Sequence, residues 1–162
     1  MFTTRIFCSP RVRAWLLRQY DEPVNLPRRS NFRHAFLNCL QKDFYPSMAF
    51  DRAKFTAHID FALHKDEVQQ HGHTLNPNLQ YHLNSLIEEQ LRNELFVFIY
   101  ANHINGSTID EAVATYQLLM NFTEEQFSQD AIRRAYFRRK KEYENIFRTS
   151  VTQNQPNVTV IA

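Results

Sequence analysis

Glycine is almost missing: Gly72 and Gly106 are the only two in the chain. A phosphate-cradling loop needs several glycines close together, so neither the dinucleotide-binding fingerprint nor the P-loop can be present. Cysteine is as scarce. Cys8 and Cys39 are too few for a disulfide framework or a cysteine zinc site, which makes a reducing cytoplasm the expected setting. No apolar run reaches membrane length, and the first residues carry no secretory h-region. Internal repeats and low-complexity tracts are also lacking.

What the chain does have is apolar bulk. Its 162 residues are 43% hydrophobic and include 14 Phe, enough to bury a sizeable core and to argue against disorder. The net charge is only +2, but it is unevenly placed. Residues 1–35 carry +5, residues 36–129 carry −7, and residues 130–162 carry +4. Two basic ends around an acidic middle suggest a polyanionic partner for the ends, or ends that dock on the middle.

Periodicity organises the rest. Phe2, Thr4 and Ile6 alternate with Thr3, Arg5 and Phe7 at strand spacing. Ser9 and Pro10 form a helix start, followed by Val12, Trp15 and Leu16 on one face. Ser30 opens a second helix with Phe32, Phe36, Cys39 and Leu40 on one side. A second strand alternates Phe55, Ala57, Ile59, Phe61 and Leu63 with polar partners. "HKDEVQQHGHTLNPN" reads as a polar loop. From Asn78 a long helix carries Leu79, Leu83, Leu86, Ile87, Leu91, Leu95, Phe98 and Ile99 as one stripe, and Asn105-Gly106 ends it. Thr108/Glu111 and Thr123/Gln126 both have the capping-box form, and Ser128 offers a further cap.

The expected fold is therefore α+β and predominantly helical, with a two- or three-stranded sheet near the N-terminus. The expected divisions are an α/β core with a long helix over 1–105, a helix-turn-helix-like segment over 106–148, and a tail over 149–162 with a short strand at "NVTVIA".

"SQDAIRRAYFRRKKEY" gathers six basic residues between Arg133 and Lys141. On a helix, Ile132, Ala135, Tyr136, Tyr143, Ile146 and Phe147 share one face. Arg134, Phe137, Lys141 and Arg148 share the opposite face, with Arg133 beside them. Arg138 and Lys140 flank the two sides, and Arg139 falls within the apolar stripe. A support helix, a turn and a later basic helix follow the serial order of a helix-turn-helix, whose last helix enters the major groove. Arg grips guanine edges, and Lys and Arg hold phosphates. The turn, however, has no glycine. The same charges also fit a solvated face, a complement to the helix C-terminal dipole, or pairing with Glu142 and Glu144.

"SPRVRAWLLRQYDEPVNLPRRS", "HKDEVQQHGHTLNPNLQYHL" and "SQDAIRRAYFRRKKEY" together resemble small proteins encoded by bacterial prophages and other mobile elements. The resemblance implies an N-terminal α/β part, a C-terminal segment similar to a helix-turn-helix, a bacterial or phage cytoplasmic setting, and DNA as a partner. It brings no catalytic signature and assigns no residue a role.

Duplex DNA is the expected partner, with Arg133, Arg134, Phe137, Arg138, Lys140 and Lys141 as contacts. Arg28 and Arg29, just before the Ser30 cap, are a second candidate phosphate contact. No cofactor, metal, catalysis or membrane partner is expected. His64, His71 and His73 lie about one polar stretch with Asp66 and Glu67, but a structural zinc site needs four fixed ligands. His58 and Asp60 share a strand face near Lys65, yet two-metal nuclease chemistry needs a tighter acidic cluster. Cys8 precedes a helix start that would lower a thiol pKa, but no His is placed as its base, so a buried, idle thiol is expected. The rival reading is a non-enzymatic interaction or oligomerisation module, in which the excess of the long stripe covers a partner or a second copy.

Overall fold

A computed structural model describes residues 1–42 and 55–153, with side chains at all of these except 77 and 147–153. The strand expected at "NVTVIA" lies outside them. In chain order the elements are β1 (Phe2–Cys8), α1 (Pro10–Gln19), α2 (Asn31–Asn38), β2 (Leu40–Gln41), β3 (Ala57–Leu63), α3 (Lys65–His71), β4 (Thr74–Leu75), α4 (Pro77–Ile104), α5 (Ile109–Met120), α6 (Glu124–Phe127) and α7 (Gln129–Gln153). The fold is α+β and mostly helical, with a helical C-terminal part.

β1 and β3 pair antiparallel, from Phe2 opposite Leu63 to Cys8 opposite Ala57. The period of two sends Thr4, Ile6 and Cys8 inward beside Ile59, Phe61 and Leu63. On the outer face Arg5 grips both oxygens of the opposed Asp60. A third rung comes from the loop after α1: Val24 lies parallel to Phe61, with Val24 N donating to Asp60 O and Ala62 N to Val24 O. β2 and β4 form a second, very short pair.

Pro10 opens α1 after Ser9, whose hydroxyl donates to Glu88 of α4 instead of capping its own helix. Ser30 does cap α2, accepting from Arg33 N at 3.1 Å. Cys39 and Leu40 are buried as expected, but α2 ends at Asn38, so they belong to its C-cap and to β2.

The stretch expected as a polar loop after β3 contains a helix, α3, with no buried residue of its own. Two polar links replace an apolar stripe. Glu67 accepts from His64 N at the helix start and takes the guanidinium fork of Arg33 from α2. Gly72 ends the helix at φ +91°, where a Cβ would fall on the main chain of Gln41 and Lys42. Only glycine meets both demands.

α4 is the axis of the molecule. Its fully buried stripe is Leu83, Ile87, Leu91, Leu95 and Ile99, in steps of four residues. Leu79 and Leu86, expected in that stripe, are 39% and 36% exposed on its flank. Each step of four advances about 40° beyond a full turn, so the buried face winds around the helix. The N-terminal half meets the sheet: Gln80 and Asn84 both donate to Phe7 O. The C-terminal half meets α5 and α7, with Phe98 against Tyr116 and Phe96 stacked 5.6 Å from Tyr136. One cluster of buried residues runs from Ile6 to Tyr136.

Candidate nucleic-acid interface

The basic helix is aimed by three successive caps. Thr108 Oγ1 accepts from Glu111 N while the Glu111 carboxylate accepts from Thr108 N at 2.8 Å. The Thr108 N–H and the Thr108 hydroxyl, both donating to that carboxylate, hold the Glu111 carboxyl below its usual range. α5 stops at Asn121, which takes the left-handed conformation at φ 53°, ψ 38°. Asparagine tolerates that region better than most residues, so it does what the absent glycine would do. Thr123 and Gln126 close the second box around the single turn of α6. Ser128 then accepts from Ala131 N and starts α7, which continues past the expected end near 148 to Gln153.

One face of α7 is anchored. Ile132 and Tyr136 are fully buried, and Tyr143 packs 4.9 Å from Phe96. Arg139, expected in this stripe, is half-buried and bonds to Glu89 and Asn93 of α4 and to Glu142. Its guanidinium also covers the Tyr143 ring at 5.1 Å. Ile146, expected on the packing face, is 62% exposed.

The other face presents Arg134, Phe137, Arg138 and Lys141, all exposed, with Lys140 half-buried beside them. None of these four cations has a carboxylate partner among the described residues. Phe137 is 47% exposed, its ring set edge-on to Tyr136. Arg133 differs: it is half-buried and bridges Asp110 of α5 and Asp130, so its charge is already matched. Arg28 and Arg29 form the exposed turn between Pro27 and Ser30. They ride on α2, which packs on α3, whereas α7 packs on α4, α5 and α6.

Two arginines outside the basic segment join this surface. A cleft of about 390 Å³ between α1, α4 and α7 is lined by Arg11, Arg92, Arg134 and Arg138 around Glu88. Arg92 stands in the acidic middle of the chain, where no local signal marks it.

Other candidate positions are occupied differently. Both oxygens of Asp60 are held by Arg5, which keeps that carboxyl below its usual range, while His58 is exposed. Glu67 turns away from Lys65 and Asp66 towards Arg33. His73 is exposed and its carbonyl accepts from the Thr4 hydroxyl. Among the described residues no three His, Cys, Asp or Glu side chains gather in metal-binding range. Cys8 is buried on the inner face of β1, and that burial pushes its thiol up to about 12, so it is held as an unreactive thiol. No described helix is long and apolar enough to cross a membrane. Compared with protein-family models, with curated proteins and with solved structures, the chain matches none.

Proposed function

We propose that the protein binds duplex DNA through the outer face of α7, as a non-catalytic regulator of a phage or mobile element in the cytoplasm. The observation that carries this is the division of the helix. Its inner face is locked by Ile132, Tyr136 and Arg139, while Arg134, Arg138, Lys140 and Lys141 have no carboxylate partner among the described residues and stand around the exposed Phe137. A rigid mount with unmatched cations suits phosphate contact. The capped run α5, α6, α7 resembles a helix-turn-helix, whose last helix reads the groove. Anisotropy of a labelled mixed-sequence duplex at two salt concentrations tests it. Binding should weaken steeply as salt rises. A duplex left unbound at the lower salt overturns the reading.

A second reading, a protein-interaction or oligomerisation module, has its own observation. Val97, Tyr100 and Ile104 lie on one outer face of α4 and are 62%, 47% and 65% exposed. Clustered exposed apolar residues mark association surfaces. Sedimentation velocity across a concentration series reads it directly: a second copy on this face gives a dimer that Val97→Asp dissociates, and a concentration-independent monomer removes the homo-oligomer form.

A further inference from the structure

The cleft between α1, α4 and α7 has an unusual charge balance. Four guanidinium groups, those of Arg11, Arg92, Arg134 and Arg138, share one carboxylate, Glu88. That carboxylate is already used. Arg11 holds it through two bonds, Nε to Oε1 at 3.0 Å and Nη2 to Oε2 at 2.7 Å, and Ser9 Oγ donates to it as well. Arg92, Arg134 and Arg138 are left with no carboxylate partner among the described residues.

Arg92 and Arg134 make the same local bond. Arg92 Nε donates to Glu88 O, and Arg134 Nε donates to Asp130 O, each one turn back on its own helix. Each arginine thus spends its single inner donor on its own backbone and keeps its terminal pair available. A fixed pair of N–H groups matches two oxygens of a phosphate. The helices that carry them are anchored: α1 by Val12, Trp15 and Leu16, α4 by Leu91 and Leu95, α7 by Ile132 and Tyr136. Holding three cations together is electrostatically unfavourable until an anion arrives, and among the described residues the one carboxylate in the cleft, Glu88, is already taken by Arg11.

We infer that this cleft is a seat for a phosphate group, with Arg92, Arg134 and Arg138 as its ligands and the Arg11–Glu88 pair as its wall. A backbone phosphodiester of bound DNA and a free phosphorylated small molecule offer the same chemistry. The nucleic-acid form rests on the DNA reading above, since Arg134 and Arg138 belong to both surfaces. The small-molecule form does not.

The test uses the full chain, with sodium tripolyphosphate as the small probe and sodium chloride at matched ionic strength as the control. Tripolyphosphate should raise the melting temperature saturably. Arg92→Gln/Arg138→Gln should keep the parent's circular dichroism and weaken that response by roughly tenfold or more. Arg92→Lys, which keeps the charge and loses the fork, should fall between. The DNA arm separates the sources. If a phosphodiester occupies the seat, the double variant lowers the slope of log affinity against log salt by about 0.9 and tripolyphosphate competes with DNA. If the tripolyphosphate response is lost in the variant but DNA fails to bind or keeps its slope, the seat serves a small phosphorylated ligand and stands without the DNA reading. If tripolyphosphate does no more than chloride, and the variant leaves the DNA slope unchanged, the seat is overturned, whatever Lys141 and its neighbours do with DNA.

Discussion

Arg33 and Glu67 meet in a two-bond fork, Nε to Oε1 at 2.7 Å and Nη2 to Oε2 at 2.6 Å, with the Arg33 side chain only 1% exposed. The remaining Arg33 donors reach Leu26 O and Asn25 Oδ1. One buried cation therefore ties α2, α3 and the loop before α2 together. Removing one partner of a buried pair leaves a charge uncompensated, so Glu67→Gln should destabilise the protein by about 3–5 kcal/mol in chemical denaturation. A loss under 1 kcal/mol would mean that water takes over the guanidinium.

The same pair sets a pH dependence. Burial pushes the Glu67 carboxyl up, but the bond from Arg33 and the His64 N–H outweigh it, and the pKa falls below the ordinary 4.5. A depressed folded pKa gives stability that is fully present above 4.5 and lost as pH falls through the folded value. Melting temperature should drop in acid more steeply for the parent than for Glu67→Gln. Parallel curves would show that other carboxylates dominate acid unfolding.

Along α4, burial separates leucines that share one apparent stripe. Leu91→Ala or Leu95→Ala, both fully buried, should cost about 2–5 kcal/mol. Leu86→Ala, at a site 36% exposed, should cost clearly less. Equal losses at Leu86 and Leu91 would contradict the winding of the buried face.

The left-handed turn at Asn121 offers a backbone test. Asn121→Ala should destabilise by about 1–2 kcal/mol, because a Cβ-bearing residue without a local polar group is strained there. Asn121→Gly should be no less stable than the parent. A harmless alanine would mean that α5 and α6 are joined in another conformation.

On the basic face, Arg134→Ala/Lys141→Ala should flatten the salt dependence of DNA affinity by roughly 2 units if both residues contact phosphates. Its melting temperature should stay put, since both side chains are exposed. Arg139→Ala, which unties α7 from Glu89 and Asn93, should do the reverse. An unchanged slope in the double variant would reduce the face to a solvated surface.

What could be read in advance was whatever local chemistry encodes. The boxes at Thr108 and Thr123 and the caps at Ser30 and Ser128 each depend on residues three positions apart. The alternation of β1 and β3 is equally local. α3 escaped because its support comes from Arg33, 34 residues earlier, and its own residues form no buried face. Leu86 looked like core because a winding stripe and a straight one share the same short-range spacing. The basic segment was visible as a whole, but not how it divides. Arg133 leaves the free set through a local partner, Asp130, and a distant one, Asp110, and only the tertiary structure supplies the second and brings Arg11 and Arg92 to the cleft.

The winding of α4 makes it a rotational gauge between the two ends of the molecule. Its start is keyed to Phe7 of the sheet through Gln80 and Asn84, and its stretch from Glu89 to Phe96 to α7 through Glu89, Asn93 and Phe96. The direction in which the cations of α7 point is thus written in the residue count of a different helix. One residue inserted between Asn84 and Glu89 would swing that face by about 100° against the sheet without touching a single basic side chain.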